Sequence, residues 1–400
     1  MKKRILAGGG LIIAAAITTF LLNFGKPQQT PAQETLTIAD TTPFGLTIRA
    51  FDGFLLQNLD SSKTVGAAAV VVRGDSTAYL HAFGVRRAGT SDPVTPNTVF
   101  RLASVSKGFT GVLALLLEEE GLLSMQDPVR KYIPDLLLRD STSTADLKIH
   151  HLLNHTSGLV PHAYDNLAEA GQEIREILPR LSDVDISGPP GELYGYQNVL
   201  FSLFDTIASQ LVGKNFEQLL QARIFHPLGM INASTGFDRL VWNPDVAFPH
   251  IRKSGRYSAL PMHTGYYNLM PAAGINASIS DMGLWLQALL GCTPDILDKG
   301  LLEKIATPQI YTPLKRQYTR HWDAFKERYY SYGWRIYDYK GRRIIYHGGY
   351  VRGYRAEVAF CPSENVGIAF LQNSPNGLAG QVVPTFFNML FAAFDDATIP

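Results

Sequence analysis

Ser104 and Lys107 stand three positions apart at the head of a strongly apolar run, Phe109 to Leu117, and a hydroxyl so placed beside an amine can carry out acyl transfer. Residues i and i+3 share a helix face, and the unpaired amides and positive dipole end of a first turn favour negative charge developing there. A serine hydroxyl is a poor nucleophile near neutral pH unless a base takes its proton. An amine desolvated by Leu102, Phe109 and their neighbours loses basicity, and its neutral form can be that base. The same stretch, Ser104-Val105-Ser106-Lys107, also suits a solvated helix start with Ser104 as N-cap, and such a spacing arises about once by chance in a chain of this size. Its company has to decide.

A lysine-assisted serine hydrolase needs a second proton-shuttling group and an anion site for the tetrahedral intermediate. Pro189, Pro190 and Gly191 interrupt the middle of the chain, and Tyr196, Gln197 and Asn198 follow. In an extended segment Tyr196 and Asn198 point to one side, offering a phenol and an amide to a common cleft; the triplet equally suits an ordinary loop. Further on, His347, Gly348 and Gly349 close a strand expected over 342–346. Two glycines let a backbone approach a ligand closely, so the amide of Tyr350 can face an oxyanion, although a plain strand end would look the same. His151 and His155 have the spacing of zinc ligands on a helix, but Leu152 stands where a zinc hydrolase carries its glutamate, so no metal is expected.

Around these residues the pattern gives a helix over 42–59, a hairpin of 65–72 with 77–83, and helices at 109–120, 126–133, 167–181, 199–211 and 216–224. Ser278 and Asp281 form a capping-box signature for a helix over 278–290. Strands at 329–339, 342–347, 355–359 and 366–371 and a helix at 381–394 close the chain. Strands at both chain ends with helices between them suggest one sheet built from distant segments, with a helical insertion.

At 46% hydrophobic and 18% charged the chain is globular, and a net charge of +1 with scattered basic residues excludes the electrostatic footprint of a nucleic-acid binder. The densest basic cluster, Lys315, Arg316, Arg320 and His321 with Tyr318 and Trp322, reads as a solvated loop or as a contact for an anionic surface. Lys2, Lys3 and Arg4 precede an uncharged stretch from Ile5 to Phe24, which reads as an export signal, either cleaved or retained as an inner-membrane anchor. The body would then work in the periplasm or outside the cell, beyond a polar linker at 26–41. Cys292 and Cys361, the two cysteines, could form one disulfide or remain unpaired.

Taken together, Ser104-Val-Ser-Lys107, Tyr196-Gln-Asn198 and His347-Gly-Gly349, with FRLASVSKGFTG, HLLNHTSGL, PAAGINASISDMGLWL and HGGYVRGYRAEVAF around and between them, resemble the superfamily of class C β-lactamases, D-alanyl-D-alanine peptidases and esterases. The likeness spans nearly the whole chain beyond residue 45. It implies an α/β (α+β) fold of an antiparallel sheet flanked by helices, in a lobe of residues 42–115 and 275–400, with an all-helical lobe over 116–274. It also implies Ser104 as the acylated nucleophile, Lys107 as proton acceptor or electrostatic activator, and Tyr196 as proton relay. Asn198, His347, Gly348 and Gly349 would contact substrate, the amides of Ser104 and Tyr350 would form the oxyanion hole, and no cofactor would be needed. In β-lactamases the third motif usually begins with lysine. His347 occupies that place here, so substrate choice stays open, with Arg352 and Arg355 as possible sources of the missing charge. The reading is an exported serine hydrolase acting on an ester, a D-amino-acid amide or a peptide, its substrate a small molecule or derived from peptidoglycan. A true β-lactamase and a membrane-tethered, non-catalytic binding protein are the alternatives.

Overall fold

The structure is a computed structural model that describes residues 41–313, 321–322 and 325–397. The uninterrupted apolar run of Ala67 to Val72 suits a strand covered on both faces. It lies in β1 (Gly66–Arg73), every residue of which but the last is buried. β1 turns back into β2 (Ser76–Gly84), and the other strands come from the far end of the chain. These are β3 (Ile310–Tyr311), β4 (Phe325–Ser331), β5 (Trp334–Tyr339), β6 (Arg342–Val351), β7 (Tyr354–Cys361) and β8 (Val366–Gln372). All neighbours are antiparallel and the order is β2-β1-β8-β7-β6-β5-β4-β3. Pairing of Val70 with Ala369 therefore joins the two ends of the chain.

Helices cover this sheet. α1 (Pro43–Ser61) starts at Thr42, whose hydroxyl accepts from the Gly45 amide at 3.2 Å with Pro43 as the first helical residue. α2 (Ser106–Glu119) is apolar nearly all round and runs through the interior. α3 (Asn198–Val212) belongs to the middle of the chain, and α4 (Ile279–Leu289) begins with the expected capping box between Ser278 and Asp281. The terminal α5 (Ala379–Ala397) packs on α1, where the Phe51 and Phe386 rings meet edge to face at 5.1 Å. Besides its helices the middle segment carries a hairpin of His250–Lys253 with Arg256–Ala259. The described residues of both expected lobes belong to one compact unit.

Several expected boundaries move. The single strand expected over 329–339 is two strands, β4 and β5, joined by a tight turn in which Tyr332 and Gly333 both have positive φ. Alternation of apolar residues runs through that turn and hides it. The helix expected over 167–181 is broken into Asp165–Glu169, Ile174–Ile177 and a 3-10 segment, Leu178–Asp183, with Gly171 and Pro179 as the interruptions. At 126–133 only a short 3-10 turn, Val129–Lys131, forms after Pro128, and 216–224 is an α-turn, Phe216–Leu220, running into a π-helical one. His347, Gly348 and Gly349 do not end a strand; β6 continues through them to Val351.

Both cysteines are free thiols, so the possible disulfide does not form. The export segment expected over residues 1–25 lies outside the described residues, as does the linker expected at 26–41 except residue 41. Among the described residues no helix is long and apolar enough to cross a membrane. Lys315, Arg316, Tyr318 and Arg320 also lie outside them, while Trp322 is buried against Phe325 and Tyr339, ring to ring at 5.4 and 5.1 Å.

Candidate active site

Between β1–β2 and α2 the chain makes a short 3-10 turn, Ala103–Val105, and then continues helically from Ser106. Ala103 adopts φ +49°, a left-handed conformation that costs a residue with a Cβ of order 1–3 kcal/mol and persists only where the surroundings enforce it. Its effect is to raise Ser104. From Arg101 to Thr110, Ser104 is the one residue that keeps some exposure. Neither the turn nor α2 has a capping side chain, so Ser104 is not the N-cap the bland reading offered. The middle serine, Ser106, is structural: its hydroxyl accepts from the Ile275 amide at 3.0 Å.

Lys107 is fully buried. Its Nζ donates to Asn198 Oδ1 at 2.7 Å and to the Ala272 carbonyl at 3.0 Å, and it sits over the rings of Tyr196 and Phe201 at 4.7 and 5.3 Å. Burial drives its pKa well below the usual lysine value, with Arg335 lowering it further and Asp165 opposing. A neutral amine has two N–H groups and one lone pair. Two oxygens that can only accept use both N–H groups, so the lone pair is left to receive a proton.

Asn198 is the first residue of α3, and its Nδ2 donates to Asp165 Oδ2 at 2.8 Å, which fixes the amide with its oxygen towards Lys107. Asp165 Oδ2 also meets His162 Nδ1 at 2.7 Å. Burial raises the pKa of Tyr196 above the ordinary phenol value, outweighing the lowering effect of the Ser104 side chain beside it, so the group is a protonated phenol at neutral pH. His155 packs against Tyr196 with 4.2 Å between ring centres and the rings tilted by 42°, and its Nδ1 accepts from the Gln197 amide at 3.2 Å. His151 Nδ1 accepts from the Lys148 amide at 3.1 Å, so the two histidines hold backbone. Tyr196 and Asn198 meet the same amine, as an extended Tyr-x-Asn segment requires.

On β6, His347 is 1% exposed. Its Nδ1 lies 2.9 Å from the Gly348 carbonyl, which can only accept, so Nδ1 carries a proton, and its Nε2 lies 3.1 Å from the Tyr330 hydroxyl. Burial, followed by the field of Arg335, holds its pKa well below the ordinary imidazole value. At Gly349 a Cβ would lie 2.1 Å from the Leu102 carbonyl oxygen and 3.1 Å from the Ser104 amide nitrogen. Only glycine lets β6 lie against the turn that carries Ser104. The Tyr350 side chain is 59% exposed, so near this corner that residue offers main chain.

The charge missing from the third motif does not come from the two arginines proposed for it. Arg355 is bound by the buried carboxylate of Glu357 at 2.7 Å, and Arg352 is exposed in the turn between β6 and β7. A cation does occupy the site: Arg335, on β5, stands 5.7 Å from both the Tyr196 and Tyr330 ring centres and donates to the Tyr194 hydroxyl at 3.4 Å. The sequence did carry a signal. A two-residue turn at Lys340-Gly341 pairs Tyr339 with Arg342, and the same register sets Arg335 opposite Tyr346, one position from His347 but on the other face of the sheet, so the signal was nearness alone. Asp165, Ala272 and Tyr330 had no such signal, because each reaches the site through tertiary packing.

A Beta-lactamase family model matches residues 51–386. Among curated proteins, an unguisins hydrolase of Aspergillus campestris is 26% identical over 77% of this chain and 58% of its own length. A D-aminopeptidase of Brucella anthropi is 26% identical over 82% of this chain and 60% of its own. The chain thus spans about three fifths of these relatives. Among solved structures, an octameric penicillin-binding protein homologue from Pyrococcus abyssi superposes with a TM-score of 0.74 at 26% identity, covering 88% of this chain and 77% of that one.

Proposed function

Because the chain belongs to the Beta-lactamase family, whose members are serine hydrolases, we propose that it cleaves an ester, a D-amino-acid amide or a peptide through an acyl-enzyme on Ser104. The observation that carries this reading is the buried Lys107 amine, one helical turn from a reachable serine and with its N–H groups already engaged. Ser104 Oγ attacks the substrate carbonyl carbon and its proton passes to the Lys107 lone pair. Negative charge on the carbonyl oxygen is met by the amides of Ser104 and Tyr350. As the bond to the leaving group breaks, the protonated Tyr196 supplies a proton to that group and is reprotonated from Lys107. Water then attacks the ester of Ser104, giving its proton to the same relay, which passes it to Ser104 Oγ as the acyl–oxygen bond breaks and the acid is released.

An aminopeptidase and a hydrolase among the relatives support amide or ester substrates, of small-molecule or peptidoglycan-derived type, while the exported location rests on residues 2–24 of the sequence alone. Intact-mass measurement after incubation with a fluorophosphonate tests the reading. One adduct per chain, mapped to Ser104 and absent from Ser104→Ala, is expected. A parent chain that stays unmodified while folded would leave a binding protein instead. Rates on a chromogenic cephalosporin and a p-nitrophenyl ester then separate a β-lactamase from an esterase.

A further inference from the structure

Arg335 is a guanidinium held deep among aromatic rings, and among the described residues no carboxylate forms an ion pair with it. It has five N–H donors, and the hydrogen bond it makes to a described residue is the long one to the Tyr194 hydroxyl. A cation taken out of water without an anion is costly, and contact with two ring faces offsets part of that cost only. None of its nitrogens is among the buried atoms that lack a partner, and the residue keeps partial exposure, so its remaining donors face open space. That space adjoins the reacting groups. Arg335 shares the Tyr196 ring with Lys107, and it shares Tyr330 with His347. Among the described residues, the neutral His347 leaves no other fixed positive charge shown at this corner, since Arg355 is occupied by Glu357.

We infer that Arg335 is a specificity-determining residue that binds a carboxylate of the substrate beside the scissile bond, and that the enzyme therefore prefers anionic substrates. The inference rests on the acyl-enzyme reading and adds the substrate's charge to it. A planar fork of donors pairs with a carboxylate through two parallel hydrogen bonds, a geometry that a lysine at the His347 position would not reproduce. Binding such a group supplies an anion that Arg335 does not find among the described residues, so the pairing gains more than a surface ion pair would.

The test uses one scaffold in two charge states, an acyl-D-alanyl-D-lactate depsipeptide and its methyl ester, with kcat/KM measured for parent, Arg335→Ala and Arg335→Lys. Fluorophosphonate labelling of Ser104 in each variant reports an intact site. The parent is expected to favour the free acid, the acid-to-ester ratio to fall about 100-fold in Arg335→Ala, and Arg335→Lys to recover part of it. A ratio within threefold of the parent's in labelled Arg335→Ala, or a labelled parent that prefers the methyl ester, overturns the inference. A parent that does not label overturns the acyl-enzyme reading instead, which keeps the two failures apart.

Discussion

Two groups near Ser104 can exchange protons, and their environments set them apart. Burial acts on both, lowering the basicity of Lys107 and raising the pKa of Tyr196, so it favours the uncharged amine in the one and the intact phenol in the other. In the proposed mechanism Lys107 is therefore the acceptor for the serine proton and Tyr196 the donor to the leaving group. Asp165 tunes this balance, because its carboxylate stabilises the charged form of Lys107 against the larger effect of burial. Asp165→Asn keeps an oxygen for the Asn198 amide but removes the charge. The acid limb of kcat/KM is expected to move to lower pH, by up to about one unit, in a stopped-flow pH series. A limb that moves upward would mean that Asp165 does not act on Lys107 through its charge. Ser104, Lys107, Tyr196 and Asn198 were legible in the sequence because each pair sits within one turn or one strand step, whereas Asp165 and Arg335 join from separate elements.

The strand carrying His347 and the turn carrying Ser104 must approach to within main-chain contact, and Gly349 is where they do so. A methyl group there would collide with the Leu102 carbonyl, which cannot swing aside as a flexible side chain could. Gly349→Ala is expected to lower kcat/KM by at least about 100-fold through displacement of the reacting groups, and to cost about 1–3 kcal/mol of stability by chemical denaturation. Activity within a few-fold of the parent's would show that β6 does not define the oxyanion corner. Strand and helix positions were largely readable from periodicity, as with β1, α1 and the Ser278 cap. Two features were not. The turn at Tyr332-Gly333 lies inside a period-two alternation of apolar residues, Tyr330, Tyr332, Trp334 and Ile336, and β6 continues past its glycines because Tyr354 and Ala356 on β7 pair with Val351 and Gly349.

On the scale of the molecule, the low basicity of Lys107 is a property of assembly. α2 supplies the lysine, α3 the Asn198 amide, and the stretch before Ile275 the Ala272 carbonyl, while the turn between β4 and β5 closes on the Lys107 backbone, where a Cβ on Gly333 would lie 2.0 Å from its carbonyl oxygen. These pieces come from four separated parts of the chain, which is why a helical pattern could suggest a desolvated amine but could not establish it. The sheet's end-to-end closure, β1 on β8, was inferred from strands at both termini and is what brings the C-terminal strands to the N-terminal nucleophile. The most direct measurement is the pH dependence of Ser104 acylation by a fluorophosphonate. Protonation of Lys107 abolishes its acceptor, so the rate rises with pH through the folded-state pKa and levels off above it. With that pKa well below the ordinary 10.5, the rate is expected to reach its plateau well before pH 10. A rate that keeps climbing tenfold per pH unit up to about 10.4 would show an ordinary, charged lysine and contradict the account.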